Sequence, residues 1–213
     1  LVGDYLLSKG LLLALDNKEY RSLHFLSEAV RDMSEGELLQ IKKSRTLDIT
    51  EEEYMEIIRR KTASLLSVAS GAGAASATSD ESLITALKSF GEAIGMAFQI
   101  KDDLFDYGTD DVGKPLGIDV KQKKMTLPLI YTLSQVDKSV RKSLIRIVKM
   151  EKPAMEHIQK LSSLVSEYGG IDYAKKRMME FKSQALQHLS ILPDTEARTA
   201  LINLSHFIVD RNK

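Results

Sequence analysis

The first 114 residues of this chain contain no proline; all four prolines, Pro115, Pro128, Pro153 and Pro193, come after them. Proline interrupts a helix more strongly than any other residue, because it lacks an N–H and its ring collides with the preceding turn. A stretch of that length without it is free to run as long helices. Strand signals are poor: aromatics are 6% of residues, and no segment alternates apolar and polar side chains for long. Apolar residues recur instead at helical intervals. Leu23, Leu26, Val30 and Met33 fall at i, i+3, i+7 and i+10, and Leu83, Leu87, Phe90, Ile94, Ala97, Ile100 and Leu104 form a second stripe. The fold class this predicts is all-α.

Local chemistry places the boundaries. Thr50-Glu51-Glu52-Glu53 reads as a capping box that starts a helix running to about Ala77. Ser79 or Asp80 caps the next helix, which ends near Asp106 or Gly108. Residues 108–125 read as a loop, because Gly108, Gly113, Pro115 and Gly117 break the pattern. Thr126 restarts a helix with Pro128 in its first turn. Later helices are expected over about 137–149, 154–168, 171–191 and 194–211. With no repeat and no low-complexity linker, residues 1–213 read as part of one domain.

Composition excludes several functions. Lys plus Arg number 30 and Asp plus Glu number 30, so the formal charge is zero and a general nucleic-acid or anionic-membrane binder is not expected. The absence of cysteine removes disulfides, Cys–Zn sites, Fe–S clusters and a cysteine nucleophile. His24, His157, His188 and His206 show no His-x-x-x-His pair, which speaks against a histidine zinc site. No apolar run approaches ~18 residues, so no transmembrane segment is expected. The N-terminus has neither a basic region nor a small-residue cleavage site, so the expected location is the cytoplasm. It also lacks a starting Met, and the chain is expected to begin inside a longer protein.

Four features carry chemistry. In Gln99-Ile100-Lys101-Asp102-Asp103-Leu104-Phe105-Asp106, helical geometry puts Gln99, Asp102 and Asp106 on one face, while Ala97, Ile100 and Leu104 share another. Aspartate is a mediocre interior helix former and like charges four apart repel, so the row calls for a cation. Mg²⁺, a hard ion that takes one or two carboxylates and bridges to phosphates, fits; a solvated acidic face beside Lys101 is the other reading. Lys61 stands in a row with Tyr54, Ile58, Leu65 and Val68, where its ammonium either snorkels out or points at an anion inside a bundle. The segment Gly113–Thr126 holds four lysines directly after the acidic helix, as a solvated loop or as a flap that closes over a phosphate–metal cluster. The run Gly71-Ala72-Gly73-Ala74-Ala75-Ser76-Ala77 permits close backbone approach, to a neighbouring helix or to a lipid-like ligand.

Taken in order, Gly3-Asp4, Gly36-Glu37-x-x-Gln40, Lys61-Thr62, Phe98-Gln99-x-x-Asp102-Asp103-x-x-Asp106, Gly113-Lys114-x-x-Gly117-x-Asp119 and Lys124-x-Thr126-Leu127-Pro128 resemble the trans-isoprenyl diphosphate synthases over nearly the whole chain. The stretch from Leu192-Pro193-Asp194 to Arg211-Asn212-Lys213 is most similar to the bacterial long-chain, octaprenyl-type branch. The resemblance implies a helical bundle around a deep central cavity. It implies an enzyme that joins isopentenyl diphosphate head-to-tail onto an allylic diphosphate by Mg²⁺-assisted ionisation. It assigns Asp102 and Asp106 to Mg²⁺, with Asp103 supporting the same cluster. Lys61, Lys114 and Lys124 become the catalytic lysines that neutralise the leaving diphosphate, and Thr62 and Gln99 its hydrogen-bonding partners. It implies a homodimer through residues of about 2–43. Such chemistry needs a stabilised leaving group and a dry pocket for the cation, and no Cys or His base if the departed diphosphate takes the proton.

The family carries two aspartate-rich motifs, and only the second is present. The first is expected upstream of Gly3-Asp4, together with the isopentenyl diphosphate site, so the 213 residues alone are expected to be inactive. The alternatives are a non-catalytic subunit or truncated fragment of a heteromeric synthase, a short-chain (farnesyl or geranylgeranyl) synthase, a class I terpene cyclase or a plain helical scaffold. Intact aspartates speak against the subunit, the 113–128 motif against the cyclase, and Lys61 with the acidic face against the scaffold.

Overall fold

The computed structural model describes residues 1–107 and 117–211, which are helical almost throughout, with no strand among them. The N-terminal pair is α1 (Val2–Asp16) and α2 (Tyr20–Thr46). Helix α3 (Glu51–Ile58) passes through one widened π-turn (Arg59–Ala63) into α4 (Ser64–Ala77). Then come α5 (Glu81–Phe105), the short α6 (Ile118–Lys121), α7 (Leu127–Gln135), α8 (Lys138–Lys149), α9 (Met155–Glu167), α10 (Gly170–His188) and α11 (Glu196–Asp210).

The helix starts follow from the side chains that sit there. The Glu53 amide donates to Thr50 Oγ1 at 3.2 Å and the Thr50 amide donates to Glu53 Oε2 at 3.0 Å, which closes the capping box. Asp80 accepts from the Ser82 amide at 2.8 Å, and Asp137 from the Ser139 and Val140 amides at 2.6 and 3.0 Å. Thr126 precedes α7 as expected but does not cap it with its side chain. Its hydroxyl is engaged with the Tyr107 hydroxyl at 2.5 Å, tying α7 to the end of α5, while Pro128 needs no donor in the first turn.

Helix α5 is the axis of the molecule, packed chiefly between α4 and α10. Phe90, Ile94, Ala97 and Ile100 of the expected stripe are buried, and each large one contributes roughly 1.5–3 kcal/mol of transfer free energy. Gly91, Ala93, Gly95 and Met96 are buried as well, so most of the helix is enclosed rather than half wet.

The apolar stripe of α2 is only partly covered within one chain, and one expectation, for the segment after α5, is corrected. In α2 the buried residues are Phe25, Ala29 and Gly36, whereas Val30 of the leucine-rich stripe is exposed. Gly36 lets α2 approach the π-turn closely, while Leu23, Leu26 and Met33 are half-buried. The 108–125 segment is not all loop, since residues 118–121 form α6. Within the small-residue run, Gly71 and Ala74 are buried, and a Cβ on Gly71 would sit 2.4 Å from the Lys88 side chain of α5. The run therefore serves helix–helix contact.

Candidate active site

A cavity of about 250 Å³ lies among α2, α3, the π-turn, α5 and the segment that follows α6. Gln40 and Lys43 come from α2, Tyr54 from α3, and Lys61 and Thr62 from the π-turn. Gln99, Asp102 and Asp103 come from α5, with Asp119, Lys124 and Thr126 from beyond it. Ile49, Ile57, Ile58 and Met125 form an apolar part of the wall. The mouth opens into a groove that shares Gln40, Ser44, Lys61 and Lys124 and adds Arg45 and Lys123.

The π-turn decides how Lys61 and Thr62 are presented, and two glycines make room for it. A Cβ on Gly36 of α2 would lie 2.9 Å from the Lys61 nitrogen, and one on Gly95 of α5 would lie 2.6 Å from the Ala63 Cα. A turn with one extra residue shifts every side chain after it, so the regular row from Tyr54 through Lys61 to Leu65 does not persist. Tyr54 and Ile58 are buried, Leu65 is exposed, and Lys61 neither snorkels freely nor stands unpaired. Its Nζ pairs with Glu37 at 2.5 Å and Gln40 at 3.2 Å.

The acidic segment divides by role. Asp103 is the buried aspartate: the Tyr54 hydroxyl donates to its Oδ2 at 2.7 Å and Gln99 Nε2 donates to its Oδ1 at 3.0 Å. Gln99 also accepts the Thr62 hydroxyl at 2.9 Å. Gln99 therefore works with Asp103, one turn on, rather than with Asp102 and Asp106. Burial pushes the Asp103 carboxyl up to about 7, against the two donors that favour its charged form. Burial and the charge of Asp103 raise the Tyr54 hydroxyl as well. Asp102 is half-buried at the cavity wall and paired with Arg211, whose guanidinium lies 4.4 Å from the Phe98 ring and 5.6 Å from the Phe105 ring. Asp106 does not line this cavity. Its Oδ1 accepts a long bond of 3.4 Å from the Asp119 amide, its buried Oδ2 has no partner among the described residues, and burial raises its carboxyl. Lys124 donates to Asp119 at 3.1 Å. Gly113 and Lys114 lie outside the described residues.

Thus Lys61, Thr62, Gln99, Asp102, Asp103 and Lys124 converge on one cavity, and Asp106 borders it from behind Asp119. Sequence reasoning missed Tyr54, Lys43 and Arg211 as wall or partner residues. Tyr54 was visible only as a member of an apolar row, and Arg211 stands 109 residues from its partner. Among the described residues no three His, Asp or Glu side chains form a ready metal cage. The donors present are all hard oxygens facing lysines. That set fits a hard divalent ion, which takes one or two carboxylates and fills its shell with water and phosphate oxygens.

Residues 1–165 match the family model described as polyprenyl synthetase. Over its full length the chain is 33% identical to octaprenyl diphosphate synthase of Haemophilus influenzae, of which it covers 65%. Over 99% of its length it is 34% identical to a short chain isoprenyl diphosphate synthase of Methanothermobacter thermautotrophicus, of which it covers 66%. The chain thus spans about two thirds of the length of these relatives, slightly less in both cases. The whole chain also superposes with a TM-score of 0.92, at 31% identity, on 65% of a polyprenyl synthase from Caulobacter crescentus, a crystal structure complexed with calcium and isoprenyl diphosphate.

Proposed function

The chain belongs to the polyprenyl synthetase family, and from that premise we propose that it serves to condense isopentenyl diphosphate with an allylic diphosphate to give a trans-polyprenyl diphosphate. The cavity supports this: lysines, amide and carboxylates gather at one end, and Ile49, Ile57, Ile58 and Met125 line the rest. A diphosphate head and an apolar tail need that division. In this reading residues 1–213 form the C-terminal two-thirds of a single synthase domain.

Lys61 and Lys124, with Lys114, neutralise charge on the leaving diphosphate, and Gln99, held by the Thr62 hydroxyl, offers its amide to the oxygens. Charged donors at a half-enclosed site act through a lower dielectric than at a surface, and they favour the departing anion over the bound ester. Asp102 at the cavity wall, with Asp103 and Asp106 one and four positions further along, would hold Mg²⁺. When bound, that ion screens the diphosphate and polarises the breaking C–O bond. The isoleucines and Met125 keep water from the allylic cation. The departed diphosphate accepts the proton that closes the double bond, so no protein base is assigned.

Two further parts of the reading concern the whole protein. Residues of about 2–43 carry a homodimer interface, supported by the exposed Leu6, Leu12 and Leu13 of α1. The protein works in the cytoplasm; among the described residues no helix is long and apolar enough to cross a membrane. The test is incubation of the full-length enzyme with labelled isopentenyl diphosphate, Mg²⁺ and allylic primers of several lengths. Growth of polyprenyl products, abolished by chelation and lost in Lys61→Ala, is the expected outcome. No incorporation with any primer overturns the proposal.

A further inference from the structure

We propose that Tyr54 is a positioning residue: its hydroxyl holds the Asp103 carboxylate, and Asp103 in turn fixes the orientation of Gln99 and Thr62 on the cavity wall. The inference rests on the proposed function only for what that wall receives, the oxygens of a diphosphate.

The order of contacts sets the direction of every bond. In its ionised form Asp103 accepts and cannot donate. Asp103 Oδ1 faces Gln99 at 3.0 Å, so the Gln99 atom there must be its NH₂ group; the reverse amide would set oxygen against oxygen. The Gln99 carbonyl oxygen is then turned toward Thr62 and receives the single hydroxyl hydrogen of that side chain at 2.9 Å. Two consequences follow. Gln99 retains one further N–H to offer an anion in the cavity. Thr62 has given its hydrogen to Gln99 and presents only lone pairs. The wall therefore meets a diphosphate with Lys61, Lys124 and the second Gln99 N–H as donors, and Thr62 acts by holding Gln99.

The far end of this chain is Tyr54. It is 3% exposed, its ring belongs to the main core, and its hydroxyl at 2.7 Å is the donor to Asp103 Oδ2. The ring is fixed by packing, so the hydroxyl is a fixed point on which a carboxylate with only two partners can be registered. Without it Asp103 can turn about its last torsion, and Gln99 loses the reason to keep its amide in one sense.

The substitution Tyr54→Phe in the full-length enzyme deletes the hydroxyl and keeps the ring. In ligand-free protein, exchange of the Gln99 side-chain amide protons with water, followed by NMR, is expected to speed up about tenfold, the factor that loss of one bond to a charged group implies. Calorimetric affinity for an unreactive allylic thiodiphosphate in the presence of Mg²⁺ is expected to fall by about tenfold as well. In an Asp103→Asn background Tyr54→Phe should weaken binding no further, because the effect travels through Asp103. A purely structural tyrosine would leave Gln99 exchange unchanged and would weaken Asp103→Asn as much as wild type. Either result overturns the proposal. If the wild-type enzyme fails to bind the analogue, the proposed function falls instead, and the Gln99 exchange rates still decide the role of Tyr54.

Discussion

Helices α1 and α5 are both rich in apolar residues and have opposite surroundings. None of the residues of α1 is buried; Leu6, Leu12 and Leu13 are exposed, and its main neighbour is α2. In α5 ten residues are buried, one of them an aspartate. On α5, small residues bring a neighbouring backbone close. A Cβ on Gly91 of α5 would lie 2.3 Å from the Leu66 carbonyl oxygen, whereas Gly3 and Gly10 of α1 face open space. Apolar content alone does not locate a core. Closely spaced small residues that admit a second backbone do, and in α5 the same close packing buries a carboxylate beside the cavity.

Substitutions on the two helices should separate these roles. The largest effect is expected at Asp102→Ala in the full-length enzyme: kcat/KM should fall by about 100-fold or more, on the order of 3 kcal/mol of transition-state stabilisation, with little change in Tm. Unchanged kinetics would remove the acidic end of α5 from the chemistry. Next comes Gly95→Val, whose side chain would meet Ala63 in the π-turn. Overpacking of that kind costs about 1–3 kcal/mol in urea denaturation, and wild-type stability would mean that the close approach of α5 to the π-turn is not required.

A smaller effect concerns pH. The Asp103 carboxyl stands at about 7 in the fold against 3.8 ordinarily, so the folded state binds the extra proton between those values. Stability of the metal-free protein should therefore fall as pH rises from about 4 to about 7 and level off above that range. Asp103→Asn should flatten that part of the curve, and an unchanged slope would argue against a buried, proton-binding Asp103. The smallest effect on folding of a single protomer is expected at Leu12→Ser in α1, within about ±0.5 kcal/mol, because the side chain is exposed within the chain. Sedimentation of the same variant tests the proposed interface, where loss of self-association is expected. A marked loss of stability without a change in association would mean that α1 supports its own fold and not a second subunit.

Most helix boundaries were legible because caps, prolines and glycines act within a few residues of where they stand. Thr50 with Glu53, Asp80, and Pro128 each carry their signal locally. Facing was less legible. In α2 the leucine stripe gave the helical period, but not that Phe25, Ala29 and Gly36 are the residues buried within the chain, because that depends on how near two helices can come. Of the candidate residues, Lys61, Thr62, Gln99, Asp102, Asp103 and Lys124 line one cavity, and Asp106 does not. Gln99, Asp102 and Asp106 do share a helical face, but Gln99 reaches one turn on to Asp103, since Tyr54 and Thr62 complete its bonds from another helix. Arg211 had no local signal, because its contact with Asp102 closes only when α11 has packed beside α5.

The π-turn at Arg59–Ala63 has a consequence for how the gene tolerates change. A widened turn of this kind is an α-helix with one residue too many, absorbed locally so that the flanks keep their mutual orientation. Loss of a codon elsewhere in the helix would rotate everything downstream by about 100° and scramble the packing of α4 on α5. Loss of a codon inside the five-residue window would restore a regular helix and leave both flanks in place. A scan of single-codon deletions through residues 51–77 should therefore find a short stretch where expression and melting survive while the proposed prenyl transfer does not. Shortening by one triplet could disarm the protein without unfolding it.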